Sequence, residues 1–219
     1  QGRRTPGLED VWRDTAGRET AIRVLAEAGY PDAEETLQWL QAFREGSVTR
    51  FLGEQGQQRL NDLMPQLLQA AAGEAEPAEV LRRLGELLEA IAGRTTYLSL
   101  LVENPPALAQ LTRLCGASIW VAAQLAQHPV LLDELLDPRA LYDPLDRKGL
   151  QRMLELRMSG IPAEDLEQQM DSLRQFRQAA VLHVAAADIV AGLSLAKVGD
   201  CLTWIAEVVL EKTLQLAWD

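Results

Sequence analysis

Side chains that could carry out catalysis are few in this chain and far apart. Its histidines are His128 and His183, and its cysteines are Cys115 and Cys201. The sequence contains neither an HExxH nor a CxxC motif, so no spacing of these residues builds a zinc site. Each cysteine lies in an apolar helical pattern, where a free cysteine usually serves as a small buried hydrophobic residue. We predict structural roles for all four, with His183 hydrogen-bonded between helices.

Acidic residues recur in pairs that could serve acid–base or metal chemistry. The pairs are Glu34-Glu35, Asp133-Glu134 and Glu164-Asp165. Each pair falls in or near the first turn of a predicted helix, where the positive end of the helix dipole attracts negative charge. The chain also lacks the glycine-rich phosphate-binding motifs of nucleotide-binding proteins. We therefore predict no catalytic, cofactor-binding or metal-binding residue, and no cofactor, in this chain.

Asp188 stands out among the carboxylates because apolar residues surround it in sequence, and burying an unpaired charge is costly. We expect it to form an ion pair or hydrogen bond, with Lys197 or Thr203 as partner. An alternative hypothesis is a self-contained helical enzyme with Asp188, His183 and Cys201 in the cleft between the last two helices. That hypothesis predicts a pocket lined by these side chains and a shifted carboxylate pKa.

The periodicity of apolar residues predicts an all-α fold, a bundle of about ten helices. Apolar side chains recur every three or four positions, and glycine and proline separate the segments. Residues 56–73 and 76–93 predict two neighbouring helices, with Pro65 kinking the first or starting a new segment. A long helix is predicted near residues 163–192, and the helix 195–218 is its expected partner. Gly29 is expected to end a helix in the left-handed conformation.

A helical start occurs twice in the middle of the chain. Asn104-Pro105 and His128-Pro129 lie 24 residues apart, and leucines follow each at helical spacing. Proline is tolerated in the first turn of a helix, so both copies predict helices of one bundle. The segment 137–144 has the composition of a loop and is the best candidate for an exposed connector.

Charge and hydropathy limit the classes of partner. The chain has 219 residues, 47% of them hydrophobic, and a formal net charge of −11. This acidity disfavours nucleic acid as a partner, because binding to phosphates draws its affinity from lysine and arginine. No apolar run reaches the roughly 20 residues needed to cross a bilayer. We therefore expect a cytoplasmic protein without membrane contact, and the initial Gln1 suggests a piece excised from a longer chain.

Several segments, in order along the chain, resemble bacterial glutamine synthetase adenylyltransferase, the bifunctional adenylylating and deadenylylating enzyme. The resemblance is dense from about residue 81 onwards and weaker before it. The segments that carry it are Leu98–Pro105, Leu114–Ser118, Gln124–Asp137, Leu173–Arg177, Ala185–Ile189 and Leu202–Glu207.

The resemblance implies a parent enzyme with two nucleotidyltransferase domains that use ATP and Mg²⁺. Their signature is a glycine-rich turn followed by a D-x-D carboxylate pair on a strand, and this chain contains no D-x-D. The resemblance therefore implies a piece that is inactive alone, with glutamine synthetase, a PII-type signal protein and the flanking catalytic domains as partners of the parent. Residues 1–93 would form an inter-domain regulatory segment, and residues 94–219 the helical N-terminal part of the adenylylating half. Such a piece could also be mainly a docking surface.

Overall fold

Helices account for all the regular secondary structure in the computed structural model, which describes residues 6–46, 49–50, 52–144 and 146–218. Within those residues the chain forms twelve α-helices and one 3-10 helix, with no strand. The predicted all-α, multi-helix fold is confirmed. The chain divides into two compact units, Gln1–Leu132 and Asp133–Asp219.

Between Leu8 and Gln127 the structure describes eight α-helices of the first unit with full bounds. They are α1 (Leu8–Trp12), α2 (Arg18–Ala28), α3 (Ala33–Glu45), α4 (Glu54–Ala71), α5 (Pro77–Ile91), α6 (Thr95–Glu103), α7 (Pro105–Ala117) and α8 (Ile119–Gln127). The 3-10 helix Pro129–Leu136 follows. The second unit contains α9 (Pro138–Leu141), α10 (Arg147–Met158), α11 (Leu166–Ala191) and α12 (Leu195–Trp218).

The core of the first unit is built on α4 and α5, which pack against each other and against α6 and α7. Burying a leucine side chain stabilises a fold by about 2 kcal/mol, so these apolar faces outweigh intrinsic helix propensity. Pro65 lies inside α4 and does not begin a new segment. The side chains buried from the two helices are Leu60, Leu63, Met64, Leu67, Leu68, Ala71, Val80, Leu81, Leu84, Leu87, Leu88 and Ile91.

The side chains of Tyr30 and Arg83 donate hydrogen bonds to backbone carbonyls near the C-terminal ends of two helices of this unit. Gly29 ends α2 in the left-handed conformation with φ 118°, as predicted, and places the buried Tyr30 so that its hydroxyl donates to the carbonyl of Leu68 at 2.8 Å. On α5, Arg83 donates from Nη1 to the carbonyls of Cys115 and Gly116, at 2.8 and 3.0 Å. These carbonyls belong to the last turn of α7, which has no intrahelical donors for them.

The two similar helical starts adopt different structures. The first begins α7 as predicted, whereas the prediction of a second bundle helix after His128 is wrong, because Pro129–Leu136 is a 3-10 helix. Leucines three residues apart share a face in either helix type, and Leu132 and Leu135 are both fully buried. Spacing alone therefore did not distinguish the two conformations.

The boundary between the compact units does not coincide with the predicted division after residue 93. The units separate after Leu132, whereas α5, which ends at Ile91, packs against α7 and α8. The helices on the two sides of residue 93 therefore share one core. The assignment of residues 1–93 and 94–219 to two functional regions of a parent protein stays a prediction.

In the second unit, α11 packs against α10 and α12. The predicted long helix is confirmed, and its 26 residues span about 39 Å at 1.5 Å per residue. Its predicted pairing with the last helix is also confirmed. The segment 137–144, predicted to be an exposed connector, instead contains α9, which packs on α11 and buries Leu141. The core consists of Leu150, Leu154, Leu173, Phe176, Ala180, Val184, Cys201, Ile205 and Val208.

Arg147 fastens α10 to α12. Its guanidinium bonds the carboxylates of Glu207, at 2.9 Å, and Glu211, which lie one turn apart on α12. A planar guanidinium that bridges two carboxylates is geometrically more demanding than a single exposed ion pair. Because the arginine and glutamate side chains are 41% and 49% exposed, this bridge adds modestly to the packing of α10 against α12.

Two helical glycines provide a matched test of this packing. A Cβ added to Gly85 of α5 would come within 2.5 Å of the Trp39 indole, which stacks on Phe43, whereas a Cβ added to Gly199 of α12 meets nothing within 4 Å. We expect Gly85→Ala to lower the free energy of unfolding by about 1–3 kcal/mol. Gly199→Ala should raise it by about 0.5–1 kcal/mol, because alanine favours a helix. Urea unfolding followed by circular dichroism measures both, and equal effects would contradict the observed packing.

Candidate functional site

The most unusual polar group of the second unit is an acid–base pair at the 3-10 helix. Glu134 Oε2 lies 2.9 Å from Nε2 of His183, in the middle of α11. An ionised carboxylate can only accept, so the histidine nitrogen donates. Arg157, from α10, approaches the other carboxylate oxygen at 3.4 Å. The three side chains tie the 3-10 helix to two helices of the core.

The local sequence explains where these groups stand. His183 follows the buried Leu182 and precedes the buried Val184, so its ring is directed into the unit and is only 5% exposed. Glu134 lies between Asp133 and the buried Leu135, and its side chain is 22% exposed. A buried imidazole requires a partner, which the carboxylate supplies. The predicted interhelical hydrogen bond of His183 is thereby observed.

The hydrogen bond from His183 lowers the pKa of Glu134, and the charge of Arg157 adds to this effect. Partial burial acts in the opposite direction but is smaller than the combined attraction. The carboxylate is therefore ionised at neutral pH and acts as a fixed anion. A glutamate held in this state stabilises the fold and is a poor proton donor.

The alternative site built from Asp188, His183 and Cys201 is not assembled. His183 and Cys201 border the same gap beside α12, but its volume is about 10 Å³, which is too small for any ligand larger than one water molecule. Asp188 lies in the exposed last turn of α11. The alternative hypothesis of an enzyme with its site between the last two helices therefore lacks both its pocket and its carboxylate.

The expectation that Asp188 is buried and bonded to Lys197 or Thr203 is also wrong. Both proposed partners are engaged elsewhere: the Lys197 ammonium lies 4.9 Å from the ring centroid of Trp204, and the Thr203 hydroxyl donates to the carbonyl of Gly199 at 2.8 Å. The carboxylate of Asp188 is in contact with solvent, so its charge carries no burial cost. The apolar residues around it in sequence face other directions of the helix.

The other carboxylate pairs divide between two roles. Glu34 and Glu35 lie in the first turn of α3, as predicted, and Asp165 caps α11 by accepting the N–H of Gln168 at 2.9 Å. The prediction of a helix-terminal role fails for Glu134, which bonds His183. Sequence reasoning missed this pair because 49 residues separate its members, and no local pattern links them.

An open groove of about 670 Å³ lies beside the start of α11. Three carboxylates border it, but Asp165 caps the helix and Asp171 pairs with Arg174 at 2.5 Å. Within the described part of the chain, no group of three or more histidine, cysteine, aspartate or glutamate residues is arranged to hold a metal ion. The available donors do not fit a magnesium–nucleotide complex, which requires clustered carboxylates and backbone donors.

The remaining candidates serve the fold. His128 ends α8, where its backbone N–H donates to the carbonyl of Gln124 at 2.9 Å. Burial raises the pKa of the Cys115 thiol to about 12, and the nearby Arg83 offsets only part of that effect. A thiol with such a pKa is not a nucleophile at neutral pH. Across the described ranges, no helix has both the length and the hydropathy of a membrane span.

Comparison with known proteins gives one consistent family. The sequence profile of glutamate-ammonia ligase adenylyltransferases matches residues 108–219. Three relatives are each named as a bifunctional glutamine synthetase adenylyltransferase/adenylyl-removing enzyme. The proteins of Thioalkalivibrio sulfidiphilus, Nitrosococcus oceani and Pseudomonas aeruginosa are 54%, 48% and 44% identical to this chain, over 95%, 96% and 95% of its length. The chain spans only 21–22% of the length of these relatives.

Replacing Glu134 by glutamine tests the acid–base pair. We expect Glu134→Gln to lower the free energy of unfolding by about 1–2 kcal/mol at pH 7, because His183 loses its charged partner. Because the folded-state pKa of Glu134 is lowered, its contribution is complete above the pKa of an unfolded glutamate, about 4.3, and disappears at more acidic pH. The difference from the unsubstituted chain should therefore shrink below pH 4. Glu155→Gln, at an exposed position of α10, is the control, and an equal effect of the two substitutions would contradict the pairing.

Thiol labelling tests the structural assignment of both cysteines. Cys115 and Cys201 are 0% and 1% exposed, so we expect a maleimide reagent to modify neither in the folded chain at pH 7. Both should react at the rate of free cysteine after unfolding in guanidinium chloride. Mass spectrometry counts the modified thiols, and stoichiometric labelling of either cysteine without denaturant would contradict its burial.

Proposed function

Because the chain belongs to the glutamate-ammonia ligase adenylyltransferase family, we propose that it is a non-catalytic helical region of a larger bifunctional enzyme. In that enzyme it positions two opposing active sites, one that adds AMP to glutamine synthetase and one that removes it. It also helps to transmit regulatory signals, which in the parent enzyme come from a PII-type signal protein and glutamine. The observation that carries this proposal is that the buried His183 and the largely buried Arg83 are both bonded to groups of other helices, so they serve the packing of the fold.

The chemistry of AMP transfer supports a role without catalysis. Transfer from ATP needs carboxylates that hold Mg²⁺ and donors that stabilise phosphate oxygens. The sequence has no D-x-D pair, and the carboxylates around the groove beside α11 serve that helix itself. ATP and Mg²⁺ are therefore proposed as cofactors of the parent enzyme, bound outside this chain.

The second unit has the mechanical properties that a connecting element needs. The helices α11 and α12 contain 26 and 24 residues and share an apolar core, and the Arg147 bridge links α12 to α10. A rigid helical element of about 39 Å passes a displacement from one end to the other. The proposal includes glutamine synthetase, a PII-type signal protein and the flanking nucleotidyltransferase domains as partners, in the cytoplasm.

Calorimetry on the chain itself tests whether it is catalytic. We expect no heat of binding with Mg-ATP at concentrations up to about 1 mM, the upper end of the usual range of KM values. We also expect no AMP transfer to glutamine synthetase. Saturable binding with 1:1 stoichiometry, or measurable transfer, would contradict the proposal. A labelled ATP analogue and the full-length enzyme provide the positive control.

Loosening the Arg147 bridge in the full-length enzyme tests the positioning role. We expect Arg147→Ala to change the ratio of adenylylation to deadenylylation by about fivefold, because α12 gains freedom along α10, while the KM for ATP remains within about twofold. Arg152→Ala, an exposed arginine on the same helix, should change neither. A large rise in the KM for ATP in the Arg147 variant would place this region at the nucleotide and contradict the proposal.

A further inference from the structure

One side of α12 is apolar although it faces solvent. We call the residues Leu195, Gly199, Leu202, Ala206 and Leu210 the outer face of α12. They fall within about 80° of the helix circumference at 3.6 residues per turn. Leu202 and Leu210 are 42% and 62% exposed.

The outer face is distinct from the other two sides of the helix. Cys201, Ile205 and Val208 point into the core of the second unit. The charged side chains Asp200, Glu207 and Glu211 lie on another side, where Arg147 bonds the two glutamates. A purely structural helix would carry polar residues on its solvent side. The outer face therefore has the composition of a packing surface, and the described part of the chain leaves it uncovered.

Gly199 gives an independent indication of a partner. A glycine inside a helix costs stability relative to alanine, and its usual justification is an unusual backbone conformation or a close neighbour. Gly199 is helical, and a Cβ added there meets nothing within 4 Å. Among the residues that the structure describes, none therefore requires a glycine at this position. A helix that crosses α12 at Gly199 would require it, because the missing side chain lets two backbones approach closely.

We propose that the outer face of α12 is the docking site of a helix from the remainder of the longer family protein, with closest approach at Gly199. This inference rests on the proposed function. The relatives contain this region as 21–22% of their length, so most of such a protein is chain tethered to α12 at high effective concentration. A second copy is a poor occupant, because a net charge of −11 makes two copies repel each other.

Site-specific labelling distinguishes a covered from an open face. Leu202→Cys places a thiol on the outer face, and Asp200→Cys places one on the charged side as a control. Each variant is made in the 219-residue chain and in the full-length protein, and maleimide modification of the new thiol is timed by mass spectrometry. Cys115 and Cys201 are buried, and peptide mapping assigns the modified thiol to the introduced position in both forms of the protein.

The expected result is protection that depends on the rest of the protein. In the 219-residue chain both thiols should react at rates within about threefold of each other, whereas in the full-length protein the Leu202→Cys thiol should slow at least tenfold and the Asp200→Cys thiol should not. Equal labelling in both forms would overturn the proposal. Protection already present in the 219-residue chain would overturn it too, and a dependence on protein concentration would then identify a second copy as the occupant.

A second variant tests the close approach at Gly199. Gly199→Leu fills the space where the two backbones meet, so in the full-length protein it should speed the labelling of a Leu210→Cys thiol about tenfold. In the 219-residue chain the same substitution should leave that rate and the circular dichroism spectrum unchanged. No acceleration in the full-length protein would overturn the assignment of Gly199. Nucleotide binding by the 219-residue chain would refute the proposed function without affecting these labelling rates.

Discussion

The leucine-rich faces of α4 and α5 are buried only when several other helices pack against them at once. This requirement determines how the first unit is organised. Neither helix can bury its face against the other alone, so α1, α6, α7 and α8 are required to complete the core. Burial of apolar surface is not directional, and the exact arrangement depends on shape. Gly85 shows this dependence, because its missing side chain makes room for the Trp39 indole.

Polar side chains set the relative placement of helices, which burial of apolar surface alone does not determine. Arg83 holds the end of α7, Tyr30 reaches a carbonyl of α4, and Arg147 bridges two glutamates of α12. Within the second unit, the pair of Glu134 and His183 holds the end of the 3-10 helix against α11. These groups would be candidates for chemistry if their donors and acceptors pointed into a cavity. Each instead satisfies a backbone or side-chain group of the fold, and this supports a positioning role better than a catalytic one.

α12 has two apolar sides, one that forms the core of the second unit and one that faces solvent. Its inner side completes the core of the second unit through Cys201, Ile205 and Val208, whereas its outer face presents leucines and Gly199 to solvent. A helix with two apolar sides can join the core of one body to a second body, so that motion of the second body is felt in the first. The bridge from Arg147 to Glu207 and Glu211 lies between these sides and limits sliding of α12.

The all-α class, the long helix and the pairing of the last two helices followed from the sequence, because the 3.6-residue period and the stops at glycine and proline are local properties. The contrast between α7 and the 3-10 helix did not, since leucines three residues apart suit both forms. The surroundings of Asp188 and the partner of His183 were likewise decided by the tertiary structure. Periodicity reports that a side chain lies on one side of its own helix, but which distant group it meets depends on packing between segments that lie 49 residues apart in the case of Glu134 and His183.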